Sequence, residues 1–311
     1  MARYVFGADV GGTTVKIGLL TEAGEKLDFW EIPTRTEDHG KNIIPDIASS
    51  IRAKMKEKNI EDSDVVGAGV GVPGAVNVDG LCYQAVNLGW ENVNVVDELQ
   101  AELKLPVKAG NDANVAALGE AWMGGGQGYK NLLLVTLGTG VGGGIIINGK
   151  ILTGAKGSGG EIGHIHLVDD EPETCGCGKH GCFEMYGSAT GVVRIAKRVL
   201  AFSEEDSVLK DRSFECKDVI DAAMSGDKVA ERIAEQYGYY LGKGIAAVAT
   251  VVNPEIIVLG GGVSKAGEGL FDLLRPSFDK YVFHGCADVK FALAKLGNDA
   301  GVYGAAKLLL D

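Results

Sequence analysis

The stretch from Tyr4 to Leu20 reads YVFGADVGGTTVKIGLL: an apolar run, a tight Gly11-Gly12-Thr13-Thr14 turn, and a second apolar run. That is the pattern of a strand, a turn and a strand. A glycine pair at a hairpin tip exposes backbone N–H groups, which can grip phosphate oxygens with no net positive charge nearby. An ordinary hairpin turn would carry the same two glycines. Asp9 before the turn and Thr13 after it add a carboxylate suited to hydrated magnesium and a hydroxyl donor.

Working outward, a helix is expected from about Lys41 to Lys58, then a buried strand from Asp64 to Val72 that ends at Pro73-Gly74. Asn87-Leu-Gly-Trp90 reads as a loop, followed by a helix near Val95 to Leu103 and a short strand from Pro106 to Ala109. Gly110-Asn-Asp-Ala-Asn114 then opens a helix that runs to about Trp122. The second half replays this order. Leu132 to Ile147 (LLLVTLGTGVGGGIII) is again strand, glycine turn, strand; Glu255 to Gly262 parallels Asp64 to Gly74; Gly297-Asn-Asp-Ala-Gly-Val parallels Gly110-Asn-Asp-Ala-Asn-Val. The second copy carries roughly 60 more residues between its first and third strands. Matching order argues for a duplicated α/β fold, each half a mixed sheet flanked by helices.

That insertion holds EIGHIHLVDDEPETCGCGKHGCFE, from Glu161 to Glu184. Cys175, Cys177 and Cys182 are separated by Gly176, Gly178 and Gly181, which let the backbone fold tightly enough for thiolates to converge on one ion. His164, His166 or His180 could complete a tetrahedron. Such a donor set suits zinc, and four protein ligands would leave no open position, so the metal reads as structural. A disulfide or free thiols are the alternatives, but a CxC pair is poorly placed for a bridge and nothing else suggests an oxidising compartment. Cys82, Cys216 and Cys286 are scattered singly, as thiols in a reducing compartment are.

The chain has 311 residues, enough for two domains with real cores. Its formal net charge of −12 disfavours nucleic acid and anionic membranes as partners, so any phosphate must be held locally. No apolar run is long enough to span a bilayer, and MARYVFGADV lacks a signal-peptide pattern, which makes the cytoplasm the expected location.

Glu161-Ile-Gly-His164 followed by Cys175-Gly-Cys-Gly-Lys-His-Gly-Cys182-Phe-Glu184 resembles the ROK family of sugar kinases, matching ExGH and CxCGxxGCxE without a gap. The resemblance covers nearly the whole chain. It implies an actin-like ATPase (ribonuclease H-like) architecture of two domains around a central cleft, with residues 1 to about 118 plus about 299 to 311 in a small domain and the rest in a large one. It implies His164, Cys175, Cys177 and Cys182 as zinc ligands, with His166 and His180 as bystanders. Glu161, His164 and Glu184 would meet sugar hydroxyls, as would Asn111. The turns at Gly11, Gly12 and Thr13 and at Gly138, Thr139, Gly140 and Gly142 would hold the phosphates of ATP, and Gly260, Gly261 and Gly262 the adenosine. Asp112 would be the base that takes the sugar hydroxyl proton, with magnesium offsetting phosphate charge. Residue chemistry alone leaves Asp112 equally readable as a helix cap, as its counterpart Asp299 shows. Gly74 and Asn87 are further candidates for lining the sugar site, and equally credible as turn residues.

The expected activity is therefore ATP-dependent phosphorylation of a hexose at its 6-hydroxyl, with glucose favoured. Asn87-Leu-Gly-Trp90 looks like the family's glucokinases, and Ile165 after ExGH departs from its fructokinases. Kinases of N-acetylglucosamine, N-acetylmannosamine and fructose remain as alternatives. A family repressor or silent sugar sensor is a reading of another class, disfavoured because the first strand begins by Arg3 or Tyr4, with no room before it for a helix-turn-helix. A homodimer or homotetramer is the assembly the resemblance implies.

Overall fold

The computed structural model describes residues 3–310. The opening stretch forms β1 (Tyr4–Val10) and β2 (Thr14–Thr21), paired antiparallel from Tyr4↔Thr21 to Val10↔Val15. β3 (Lys26–Pro33) extends the hairpin, α1 spans Ile43–Lys58, and β4 (Val65–Val72) pairs parallel with β1. The expected loop at Asn87 is the tip of a paired hairpin, β5 (Leu81–Ala85) and β6 (Trp90–Asn94), turned by a short 3-10 segment. Then come α2 (Val95–Leu103), β7 (Val107–Asn111) and α3 (Asp112–Met123). The first sheet has the order β3-β2-β1-β4-β7.

The second half repeats the plan. β8 (Leu132–Leu137), β9 (Val141–Ile147) and the short β10 (Lys150–Ile151) are followed by the insertion, which contributes α4 (Glu184–Gly187), α5 (Ala189–Phe202), α6 (Cys216–Met224) and α7 (Lys228–Val252). β11 (Ile256–Gly260), α8 (Gly269–Tyr281), β12 (Lys290–Leu293) and α9 (Ala300–Lys307) close the chain. The order β10-β9-β8-β11-β12 matches the first sheet strand for strand, as duplication requires.

Two compact units result: residues up to Leu132 with Gly144–Gly160 and those from Lys295 onward, and Leu133–Gly143 with Glu161–Ala294. α3 runs on to Met123 and lies against α9 along its length, so both belong to the first unit. A Cβ at Gly119 would stand 2.2 Å from Ala300 O, and one at Gly304 1.5 Å from Val115 O, so the two helices touch backbone to backbone. Gly144–Gly160 joins this unit for a similar reason: Asn114 Nδ2 on α3 donates to Gly159 O at 3.2 Å.

In the first unit, β1 alternates between two faces as its period of two dictates. Phe6, Ala8 and Val10 point into a core with Ile43, Ile47 and Ile51 of α1, while Val5 meets Val302 and Ala306 of α9 on the other face. Gly69 in β4 brings α9 directly onto the sheet, since a Cβ there would lie 1.7 Å from Ala305 O. In the second unit, α7 presents Val229, Ile233, Tyr237, Leu241 and Ile245 to the interior at helical spacing. Its ends are set by Asp227, which accepts from Val229 N and Ala230 N, and by Asn253 in the left-handed region. No helix among the described residues is long and apolar enough to cross a membrane.

Candidate active site and metal centre

Parallel strands of the first unit end side by side. Asp9 of β1 is in register with Gly71 of β4, and Gly71 with Gly110 of β7. Asp112, the first residue of α3, follows just beyond. Its Oδ1 accepts from Ala113 N at 2.8 Å and from Asn111 Nδ2 at 2.9 Å. Burial raises the Asp112 carboxyl above its ordinary range, against the pull of these two donors. Burial also pushes Asp9 up to about 6, helped by the negative charge of Asp112 and opposed by Lys16, its cross-strand partner. The Asp9 carboxyl sits in space left by Gly301 of α9, where a Cβ would be 2.5 Å from Asp9 Cγ.

Asn111 is committed at both ends of its amide. Its Oδ1 caps α3 by accepting from Asn114 N at 3.1 Å, and Nδ2 is shared between Asp112 Oδ1 and Gly74 O, 3.0 Å away. It therefore orients Asp112, a task beyond the sugar contact that the resemblance implies. Gly74 has φ 99°, and a Cβ there would meet Gln84 O at 2.1 Å, so only glycine fits the turn that offers its carbonyl to Asn111. The turn at Gly11, Gly12 and Thr13 is exposed and closed by Gly11 N donating to Thr14 O at 3.0 Å. Asn87 stands beside it, its Cβ 3.9 Å from where a Gly12 side chain would begin. Asp299, the counterpart of Asp112 in the repeat, instead makes an exposed ion pair with Lys26 at 3.2 Å. Local environment thus separates two aspartates that share a sequence context.

In the second unit the turn at Gly138, Thr139 and Gly140 is tied to α5. Ala189 N donates to Gly138 O at 2.8 Å, and Thr190 Oγ1 donates to Thr139 O at 2.7 Å. Gly142 lies in the following strand, β9. Gly260 ends β11; Gly261, at φ 84°, lies so close to β8 that a Cβ would be 2.5 Å from Leu137 O. The glycine turn and Gly260–Gly262 are therefore neighbours at the ends of adjacent strands. A cavity of about 1150 Å³ adjoins both, bounded by Thr139, Thr190, Arg194, Cys216, Gly262 and Lys265.

His164, Cys175, Cys177 and Cys182 bring one nitrogen and three sulfurs within 4.8 Å of one another. Cys177 Sγ is 3.6 Å from Cys182 Sγ, and Cys175 Sγ is 3.8 Å from His164 Nδ1. Bonds of about 2.3 Å to sulfur at tetrahedral angles put ligand atoms about 3.8 Å apart, which these separations match. The sulfurs are too distant for a disulfide, and all three cysteines are free. Burial and the neighbouring thiols push Cys182 up to about 12. His166 and His180 point elsewhere: His166 pairs with Asp169 at 2.9 Å, and His180 Nδ1 binds Glu171 O at 2.9 Å.

Glu161 and His164 are exposed at the two ends of one short turn. Glu184 opens α4 and reaches the glycine turn, its Oε2 accepting from Val141 N at 3.2 Å and its Oε1 lying 3.7 Å from Cys175 Sγ. Lys16 and Glu171 belong to no motif, and Gly301 sits in the repeated Asn-Asp-Ala segment without having been given a role. Only Gly301 had a signal, since the repeat has glycine where the first copy has Asn114.

The model of the ROK family matches residues 5–311. A glucokinase of Halalkalibacterium halodurans is 47% identical over 97% of this chain and 93% of its own length. The crystal structure of a ROK family glucokinase from Streptomyces griseus in complex with glucose and AMPPNP is similar at 33% identity and a TM-score of 0.74, covering 98% of each chain. That of a ROK hexokinase from Thermus thermophilus reaches a TM-score of 0.81 at 30% identity, covering 97% of this chain and 96% of its own. With the actin-like ATPase fold in both halves and a family match along almost the entire sequence, this chain belongs to the ROK family.

Proposed function

We propose that the protein transfers the γ-phosphoryl group of ATP to the 6-hydroxyl of glucose, giving glucose 6-phosphate and ADP. The observation that carries the reading is Asp112: a carboxylate at the ends of parallel strands, oriented by Asn111, raised by burial, and near enough to Asp9 for the two charges to repel. The choice of glucose is supported by the glucokinases to which the chain is similar.

In the reaction the sugar O6 forms a bond to the γ-phosphorus, the bond from that phosphorus to the β–γ bridging oxygen breaks, and the hydroxyl proton passes to Asp112. Its raised pKa makes it a better base than a solvated aspartate, while Asn111 and Ala113 hold the accepting oxygen in place. Gly11, Gly12 and Thr13, and Gly138, Thr139, Gly140 and Gly142, offer backbone and hydroxyl donors to the phosphates, and Gly260–Gly262 edges the cavity suited to adenosine. Magnesium, when bound with ATP, offsets phosphate charge, and Asp9 is the carboxylate suited to hold its water shell. Asn87 and Gly74 border the sugar.

His164, Cys175, Cys177 and Cys182 would hold zinc, which would supply a redox-inert structural anchor. With the ion held there, Glu161, His164 and Glu184 would be fixed in place to receive the sugar hydroxyls. A coupled ADP-release assay over glucose, N-acetylglucosamine, N-acetylmannosamine and fructose tests the proposal. Glucose should give the highest kcat/KM; absence of sugar-dependent ADP release would overturn the kinase reading, and preference for an acetamido-sugar would transfer it to that substrate.

A further inference from the structure

Glu171 is a buried carboxylate, 6% exposed, in the segment that leads into the sulfur loop. It is surrounded by donors. Arg198 Nη1 and Nη2 reach its two oxygens at 3.0 and 2.8 Å, Glu173 N donates at 2.9 Å, and the Tyr186 hydroxyl donates to Oε2. Arg194 Nη2 approaches Oε1 at 2.5 Å as an ion pair. The carbonyl of the same residue binds His180 Nδ1, and Thr174 and His180 form a β-bridge. Glu171 thus fastens the base of the loop that carries Cys175 and Cys177.

The arginines lie on a particular face of α5. Thr190, Arg194 and Arg198 follow one another at i, i+4 and i+8, so they stack along one stripe. At its N-terminal end Thr190 grips Thr139 O in the second glycine turn; toward its C-terminal end Arg198 grips Glu171. Arg194, between them, also binds Glu173 Oε2 at 2.9 Å and Met185 O at 3.1 Å. All three stripe residues line the cavity beside Gly262. One helical face therefore touches the glycine turn, the cavity and the sulfur loop.

We propose that Glu171 is a positioning residue that couples the nucleotide side of the site to the metal loop, through the Thr190, Arg194, Arg198 stripe of α5. A buried ion pair is a weak device for stability, since apolar residues of the same volume would serve as well; fixing one arrangement over another is its better-attested use. Here the arrangement fixed is the register of the loop on α5. Filling the cavity with nucleotide orders the stripe, and the stripe holds the loop; by reciprocity, whatever loosens the loop weakens nucleotide binding. The inference rests on the zinc reading of the cluster.

The test uses the full chain as purified, the Glu171→Gln variant and the Arg198→Met variant, and follows zinc release to a chromogenic chelator with and without magnesium and the non-hydrolysable analogue AMPPNP. In the wild type, nucleotide should slow zinc release at least fivefold. In Glu171→Gln, release should be about tenfold faster and indifferent to nucleotide, with KM for glucose raised about tenfold and kcat within threefold. A residue that only stabilised the fold would change release with and without nucleotide by the same factor and leave the dependence intact, which would overturn the proposal. So would wild-type release that ignores nucleotide. If Glu171→Gln does not fold, Arg198→Met decides by the same criterion. A wild-type protein without zinc would overturn this proposal together with the zinc reading, at the first measurement, while the ADP-release assay judges catalysis separately.

Discussion

Asp9 is the residue at which stability and activity should part. Its carboxyl is held at about 6 against a solvated value of 3.8, so ionising it in the folded protein costs about 2 pKa units, or about 3 kcal/mol. The folded state binds the proton more tightly than the unfolded chain does. This contribution to stability is therefore fully present below pH 3.8 and is lost as pH rises through about 6. Asparagine resembles the neutral carboxyl in size and removes the ionisation. Asp9→Asn should accordingly be more stable than the wild type by up to about 3 kcal/mol at pH 7.5, a rise in Tm of about 5–10 °C for a unit of this size, and by almost nothing at pH 4. Phosphoryl transfer by the same variant should fall at least about 100-fold, because the carboxylate proposed to hold the hydrated magnesium is gone. The measurements are denaturant melts at several pH values, free of nucleotide and divalent cations, and the ADP-release assay. A variant that is less stable at pH 7.5, or stabilised equally at pH 4 and pH 7.5, would refute the reasoning.

Asp112→Asn should lower kcat by about 1000-fold or more while glucose binding by calorimetry changes less than about threefold; near-normal turnover would remove Asp112 as the base. The wild-type kcat/KM profile should lose activity on the acid side at a pH above the ordinary aspartate range, since Asp112 must be ionised to accept a proton and burial raises it. Metal analysis should find about one zinc per chain, and its removal should raise KM for glucose more than KM for ATP, because Glu161 and Glu184 are anchored next to the ligands. Gly301→Val should cost about 2 kcal/mol or more in stability, since even a Cβ at this position would overlap the Asp9 carboxyl.

What the residues disclosed depended on how local the signal was. β1–β2 and β8–β9 are legible because apolar runs, glycine turns and strands of matching length are contiguous in sequence. β3 is not, because Lys26–Pro33 is an edge strand whose exposed and half-buried residues show no strong alternation. The β5–β6 hairpin hides behind Asn87 in the same way. α7 had a readable stripe from Val229 to Ile245, yet nothing local says that it lies against α8 or supports α5. Likewise no local stretch discloses that α3 and α9 meet backbone to backbone, because that depends on Gly119 and Gly304, which are far apart in sequence. The three clustered cysteines could be read as a group because the loop is short, and the motif resemblance, not spacing, singled out His164 from His166 and His180.

The repeat itself explains why Asp112 and its twin sit in different surroundings. Both copies supply Asn-Asp-Ala at the start of a helix, so capping alone treats Asp112 and Asp299 alike. The difference lies one residue further. Asn114 in the first copy is buried and ties α3 to Gly159, whereas Gly301 in the second opens the space that Asp9 occupies. The second copy's helix therefore serves the first copy's site: α9 crosses to β1, leaves Asp299 at the surface with Lys26, and makes room for the carboxylate beside Asp112. Placing Ala or Ser at position 301 would test this division of labour more gently than Val. Each should crowd the Asp9 carboxyl and change the pH, about 6 in the wild type, through which its ionisation costs stability, while Asp299→Asn leaves that pH in place. If Asp299→Asn shifted that pH as much as Gly301→Ala, the helix of the second copy would not bear on Asp9 through Gly301 and the asymmetry argued from it would be wrong.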